Sequence, residues 1–336
     1  MNPLDSANRS TRTPLSPRKG GIGGEGAEKH YRSRREFLKS VGALSVAAVA
    51  AQYAGRASAA STQETKLPQI RLGQHSISRL ICGSNPFNAG SHLSTFVNRQ
   101  MNEYFTPEQI LKTLRRCEEI GINCWQSGPK NCDLYQRLVD EGSKMKYLAL
   151  GSGDSSSIET LARAGCIGIA HHGEVTDKLF KAGKIDEVRD YLKRVRDAGL
   201  LVGVSTHMPA VVDALESKGW DLDYYMTCVY ERHRSAEDLQ KLLGHVPIPV
   251  GEVYLQSDPP RMYQAVRQTP RPCLAFKILA AGRLSERPQL VEQAFRQAFA
   301  SIKPSDGVIV GIYDRYSDQP AEDAAFVRRF GMLAKK

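Results

Sequence analysis

From Arg71 onward, the chain alternates short apolar runs with amphipathic segments. The apolar runs have the length of strands, and the segments between them repeat apolar residues at helical spacing, as between Ile185 and Val195. Eight such units favour a closed, parallel (β/α)8 barrel, or TIM barrel, over an open sheet. The predicted fold class is therefore α/β, with a single barrel over residues 71–332. The eight predicted strands are Arg79–Gly83, Ile122–Gln126, Tyr147–Gly151, Ile167–His171, Leu201–Thr206, Tyr224–Val229, Leu274–Leu279 and Val308–Ile312.

A long, proline-rich connection follows the sixth predicted strand, from Glu231 to Pro260. Connections of this length seldom lack structure of their own. A helical pattern predicts one helix within it, from Ser235 to Leu243. We therefore expect an elaborated loop at this edge of the barrel.

The first 59 residues have the features of an export leader. Residues 33–39 match a twin-arginine motif, residues 41–51 form an Ala-rich apolar stretch, and Ala57-Ser58-Ala59 supplies a cleavage site. We expect a disordered leader with a short signal helix, cleavage near Ala59, and a linker over residues 60–70. The twin-arginine translocation machinery would then deliver the protein to the periplasm or cell envelope. The alternative is an uncleaved leader that remains as an anchor.

The net charge of +10 lies mostly in this leader, because the first 60 residues hold ten of the 46 Lys and Arg residues and four of the 36 Asp and Glu residues. The rest of the chain shows no basic stripe with interleaved aromatic residues, so nucleic acid is not an expected partner. No apolar run reaches 18 residues, and no stable membrane span is expected after cleavage. Seven cysteines are scattered singly, which is typical of buried thiols; disulfides are the alternative.

In a barrel of this kind, the side chains at the carboxyl ends of the strands and in the following loops line the active site. Applied to the predicted strands, this rule gathers many polar residues at one end of the barrel. We expect a small-molecule substrate to bind there. The predicted substrate-binding residues are Asn85, Gln126, His207 and Asp258.

The fourth predicted strand runs directly into His171, His172 and Glu174. Because neighbouring side chains on a strand point to opposite faces, one imidazole should face the barrel mouth and the other the helix layer. All three residues are predicted acid/base catalysts; for the histidines, the alternative is a bond to a neighbouring backbone group. Imidazoles and carboxylates also bind zinc or manganese, so a divalent metal is a candidate cofactor. The candidate metal ligands are His171, His207, Glu174 and Glu231.

Lys277 lies in the otherwise apolar predicted strand Leu274–Leu279. A buried amine is costly unless it is paired, and a lowered pKa would suit it to form an imine or to polarise an oxygen. Lys277 is therefore the fourth predicted catalytic residue. The alternative is a salt bridge with Asp258 or Glu252 inside the barrel mouth.

Several short motifs occur along the chain in a definite order. They are Leu72-Gly73, Ile77-Ser78-Arg79-Leu80-Ile81-Cys82-Gly83, Gly121-Ile122-Asn123, Gly203-Val204-Ser205, Ala275-Phe276-Lys277-Ile278-Leu279 and Val308-Ile309-Val310-Gly311. Together the motifs resemble the aldo-keto reductase superfamily, whose barrel enzymes use a nicotinamide cofactor. The resemblance implies NADP as a candidate cofactor and a catalytic histidine at His171 or His172. The cofactor contacts that it implies are Ser205, Thr206, Phe276 and Arg315.

Other catalytic residues of that family have no counterpart here. In the family, the second strand delivers an Asp and then a Tyr, and the third strand ends in a Lys. The corresponding segments read Cys124-Trp125-Gln126-Ser127 and Leu148-Ala149-Leu150-Gly151. The leading hypothesis is a divergent, NADP-linked oxidoreductase that acts on a carbonyl or carbohydrate-like substrate. The alternatives are a metal-assisted or acid/base isomerase, epimerase or lyase acting on a sugar-like substrate, and a non-catalytic binding barrel.

Overall fold

The computed structural model describes residues 66–248 and 252–332. Within these residues, eight parallel strands close into a barrel, so the predicted (β/α)8 fold is confirmed. The predicted leader, its cleavage site and residues 60–65 of the predicted linker lie outside the described residues. The strands are β1 Gln69–Leu72, β2 His75–Ser78, β3 Leu80–Gly83, β4 Cys124–Ser127, β5 Lys146–Leu150, β6 Gly168–His171, β7 Leu201–Thr206, β8 Tyr224–Cys228, β9 Cys273–Phe276 and β10 Gly307–Gly311.

An antiparallel hairpin of β1 and β2 covers the amino-terminal end of the barrel, and the sequence analysis did not predict it. Gly73 makes its turn with a φ of 56°, and a side chain there would strike Leu201, the first residue of β7. Leu72 and Ile77 of the hairpin are fully buried in the inner core of the barrel. The hairpin thus packs on the inner core of the barrel, whose cavity opens at the opposite, carboxyl end.

The seventh predicted barrel strand is wrong at its end. The prediction continued to Leu279, whereas β9 ends at Phe276. The next residue, Lys277, has a φ of 61°, and Ala281 has a φ of 53°. Both residues are therefore in the left-handed region, which residues other than glycine rarely adopt. Lys277 therefore lies just beyond the strand, in a loop whose backbone is strained. The other seven barrel strands match their predictions to within two residues at each end.

Helices surround the barrel and follow its strands. The helix predicted at 235–243 is confirmed: the Ser235 hydroxyl accepts a hydrogen bond from the Asp238 amide at its start. No helix among the described residues is both long and apolar enough to cross a membrane. The helices are α1 Thr95–Tyr104, α2 Pro107–Ile120, α3 Cys132–Asp140, α4 Ile158–Arg163, α5 Gly173–Lys181, α6 Val188–Asp197, α7 Pro209–Ser217, α8 Ala236–Leu243, α9 Asp258–Gln268, α10 Pro288–Ser301 and α11 Gln319–Phe330.

Side chains fill the interior of the barrel. The ring of Tyr224 is fully buried and occupies the space that a side chain at Gly203 would need, since a Cβ there would lie 2.4 Å from the ring. All seven cysteines are buried and free, as predicted. The barrel is therefore a packed core rather than a pore, and its open cavity lies at the carboxyl rim.

Candidate functional site

A cavity of about 630 Å³ opens at the carboxyl end of the barrel. Its walls come from the ends of the barrel strands and the loops that follow them, which is where active sites of this fold lie. It extends beyond the mouth to the first turns of α11, where Gln319 and Glu322 line it. The ionisable residues around its mouth include His172, Glu174, His207, Arg232 and Lys277.

Lys277 is the most unusual group in this cavity. Burial lowers the pKa of its amine from 10.5 to about 8, and the charge of Arg232 acts in the same direction. Neither predicted partner forms a salt bridge with it: Glu252 pairs with Arg232, and Asp258 pairs with Arg234. The structure thus combines a strained backbone with a desolvated amine in the wall of a cavity, a combination typical of functional sites.

The two adjacent histidines point in opposite directions, as strand alternation predicts. His171 faces the helix layer, where its Nδ1 lies 2.7 Å from the Thr176 hydroxyl and its ring packs edge-on against Tyr191. Burial lowers the pKa of His171 to about 4, so it stays neutral. His172 lines the cavity instead, and its Nδ1 is buried without a hydrogen-bond partner among the described residues. Of the pair, only His172 can reach a ligand.

His207 is held between a buried carboxylate and a buried guanidinium. Its Nδ1 lies 2.7 Å from Asp177 Oδ2, which also accepts the backbone N–H of His207 at 3.0 Å. Its Nε2 lies 3.2 Å from Arg232 Nη1. Burial lowers the pKa of His207, which favours the neutral ring that this arrangement requires. Because both ring nitrogens are engaged, His207 orients Arg232 and is not free to transfer protons.

Arg232 is a central residue of the site, and the sequence analysis missed it. Only 4% of its side chain is exposed. Its Nη2 donates to Glu252 and, at 3.3 Å, to Glu174, while its Nε is buried without a partner among the described residues. It follows β8 by four positions, so its place after a strand end was a usable signal, although the residue predicted there was its neighbour Glu231.

Glu252 ties the loop after β8 to the loop after β3. It accepts hydrogen bonds from His92 Nδ1 at 3.1 Å and from the Tyr254 hydroxyl at 2.9 Å. Although burial by itself raises the pKa of Glu252, His92 and the charge of Arg232 bring it well below its usual range. Glu252 is therefore a fixed anion that holds Arg232 in place.

Four of the other residues predicted to contact substrate or cofactor line the cavity: Asn85, Gln126, Ser205 and Phe276.

Three residues predicted to contact substrate or cofactor do not line it. Thr206 donates its hydroxyl to Asp177 in the barrel wall. Asp258 is buried at the start of α9 against Arg234. Arg315 packs its guanidinium on Tyr104, 5.8 Å from the ring centre. Thr206 and Asp258 are thus engaged outside the cavity, whereas Arg315 also packs on Tyr316, which lines it.

The predicted metal ligands do not converge. His171 faces Thr176 in the helix layer, and Glu231 pairs with Arg234 and Arg261 outside the cavity. Across residues 66–248 and 252–332, no group of three His, Cys, Asp or Glu side chains is arranged to hold a metal ion. The described residues therefore do not fit the metal-assisted mechanism considered above.

No protein-family model and no curated protein matches the sequence. Among solved structures, the fold resembles two structures of a "putative aldo-keto reductase" from Pseudomonas aeruginosa. Their TM-scores are 0.52 and 0.51 at 16% and 14% identity; 80% of this chain and 99% and 100% of theirs are covered. A glycerol dehydrogenase from Gluconobacter oxydans gives a TM-score of 0.45 at 13% identity, over 82% of this chain and 98% of that one. The chain thus has the TIM-barrel fold, with distant structural similarity to these two structures of a putative aldo-keto reductase.

Proposed function

We propose that this protein is an enzyme that transforms a carbonyl substrate through an imine formed on Lys277. The observation that carries this proposal is the Lys277 amine, which lines the cavity, is desolvated and forms no salt bridge with a described residue. An amine with a pKa of about 8 is substantially unprotonated at mildly alkaline pH and can attack a carbonyl carbon. The proposal belongs to the lyase and isomerase alternatives of the sequence analysis.

The remaining cavity residues supply the proton transfers of such a reaction. The amine of Lys277 adds to the carbonyl carbon, water leaves, and the resulting iminium withdraws electrons from the neighbouring carbon. His172, which lines the cavity, then accepts the proton of a hydroxyl on the β-carbon as the bond between the α- and β-carbons breaks, which releases an aldehyde and leaves an enamine on Lys277. His172 returns this proton to the α-carbon of the enamine. Hydrolysis of the imine restores the free amine and releases the product carbonyl.

Reductive trapping tests this proposal. The protein is incubated at pH 8 with pyruvate, hydroxyacetone or glyceraldehyde and cyanoborohydride, and the modified lysine is identified by peptide mass spectrometry. About half of the Lys277 amines are unprotonated at this pH, against about 0.3% of ordinary lysines, so modification should concentrate at Lys277. Lys193, whose side chain is 73% exposed, is the internal control. Equal labelling of the two lysines, or none, contradicts the proposal.

A nicotinamide-dependent oxidoreductase is the second candidate, and the length of the cavity favours it. The cavity reaches α11, further than a three-carbon substrate would need, and Phe276 and Ser205 lie on it as the family resemblance requires. These two residues would contact a nicotinamide ring. A fluorescence titration measures the binding of NADH or NADPH. Saturable binding, together with the absence of a trapped imine on Lys277, would favour this candidate.

Export by the twin-arginine route is also a proposal. It rests on the twin-arginine motif at residues 33–39 and on the cleavage site that ends at Ala59. Fractionation of cells that make the full chain should give a periplasmic form whose first residue is near Ala60. A full-length protein that remains in the cytoplasm would refute this part of the proposal.

A further inference from the structure

The second cationic side chain at the cavity mouth indicates which carbonyl compounds would bind. Arg232 and Lys277 line the same cavity, and the guanidinium is close enough to lower the pKa of the amine. His207 holds Nη1 of Arg232 from behind, and Glu252 holds Nη2 from one side. The guanidinium is thus fixed in position before any ligand arrives.

The two carboxylates on Arg232 differ in how firmly they are held. Glu252 has further bonds to His92 and Tyr254. Glu174, in the first turn of α5, has a side chain that is 51% exposed and lies 3.3 Å from Nη2. Its one other ion-pair partner among the described residues is His233, at 3.5 Å. Glu174 can therefore swing into solvent at little cost, whereas Glu252 cannot.

We infer that the substrate carries a carboxylate, which displaces Glu174 from Arg232 while its carbonyl carbon meets Lys277. The inference rests on the proposed function and narrows its substrate class to small oxo acids. Nε and Nη2 lie on one edge of the guanidinium, the edge that binds a carboxylate with two parallel hydrogen bonds, and Nε still lacks a partner among the described residues. Since one negative charge replaces another, the balance of charge around Arg232 is preserved; a phosphate dianion would not preserve it.

Paired substrates test the inference. Pyruvate and hydroxyacetone are both three-carbon ketones, but only pyruvate has a carboxylate. Half-maximal trapping on the wild-type protein should need roughly 10- to 100-fold less pyruvate than hydroxyacetone, as expected for a charge-assisted, bidentate contact. Arg232→Gln should remove this preference, whereas Arg234→Gln, at a buried arginine outside the cavity, should keep it. A phosphate group should give no such advantage: half-maximal trapping should need no less glyceraldehyde 3-phosphate than glyceraldehyde.

Two further measurements keep the inference separate from the proposed function. Oxamate has the carboxylate of pyruvate but an amide carbonyl that forms no imine, so its binding by calorimetry reports on Arg232 alone. Glu174→Gln, at a half-exposed position, should fold normally and bind oxamate several-fold more tightly because the competing charge is gone. Equal trapping of pyruvate and hydroxyacetone, or oxamate binding unchanged in Glu174→Gln, overturns the inference. If oxamate binds but no carbonyl is trapped, only the imine proposal fails.

Discussion

Lys277→Met is expected to abolish imine trapping and, at the same time, to make the folded protein more stable. The trapping rate should fall roughly 100-fold or more, to the level of exposed lysines, whose unprotonated fraction at pH 8 is smaller by about that factor. The stability gain arises because the folded protein disfavours the charged amine. A pKa lowered from 10.5 to about 8 corresponds to a penalty of about 3 kcal/mol at most. Methionine fills a similar volume without this penalty.

The stability difference between Lys277→Met and wild type should decrease as the pH rises. Because the folded-state pKa of Lys277 lies below the unfolded value, the unfolded chain binds more protons between pH 8 and 10.5. The penalty is therefore complete below pH 8 and disappears as the pH rises toward 10.5. Urea unfolding of wild type and Lys277→Met at several pH values should show a difference that shrinks across this range.

Lys303 provides the matched control for this substitution. It too is largely buried, but it lies 3.0 Å from Asp306 and stabilises that fully buried carboxylate. Lys303→Met should therefore destabilise the protein, because it leaves the buried Asp306 carboxylate with its two backbone N–H donors but without its cation. A loss of stability in Lys277→Met similar to that in Lys303→Met would mean that Lys277 is a structural residue rather than a reactive one.

Asp177→Ala is expected to cost about 3–5 kcal/mol of unfolding free energy, a large part of the stability of an ordinary domain. Only 3% of Asp177 is exposed, and it accepts three hydrogen bonds: from the Thr206 hydroxyl at 2.5 Å, and from the backbone N–H and ring of His207. Its removal leaves these donors buried and unpaired. Since His207 then loses its support, Arg232 should also hold oxamate more weakly.

Urea unfolding measures the first effect and calorimetry the second. Asp186→Ala is the matched control, because that carboxylate is 69% exposed and pairs with Lys218 at the surface. Its loss should change the unfolding free energy by no more than about 0.5 kcal/mol. A similar cost for the two alanine variants would show that Asp177 does not hold the site together.

Residues at or just after the carboxyl ends of the strands could be predicted from the sequence. His172, Ser205 and Phe276 each lie at a strand end or directly after one, and all three line the cavity. The same rule could not find Asp177, which lies on α5 and contributes to the site from behind His207. No pattern in the sequence distinguishes that aspartate from the other acidic residues on helices.

Pairing partners were the least predictable feature of the site. Glu231, Glu252 and Asp258 all follow β8 within one connection, and a sequence gives no reason to prefer one of them. In the structure, Glu231 and Asp258 pair with Arg234 outside the cavity, whereas Glu252 pairs with Arg232 on its wall. The choice depends on how the loop folds over the barrel, and long loops have no repeating pattern from which to read this.

By itself, the sequence determined the barrel, the order of its strands and which segments carry polar groups to its rim. These features follow from the alternation of apolar residues, a local property that each segment expresses independently of the others. Only the tertiary structure decided that β9 ends before Lys277, that His172 rather than His171 faces the cavity, and that Arg232 lies between His207 and two glutamates. The positions of these groups depend on contacts between residues distant in the chain, and no local pattern encodes such contacts.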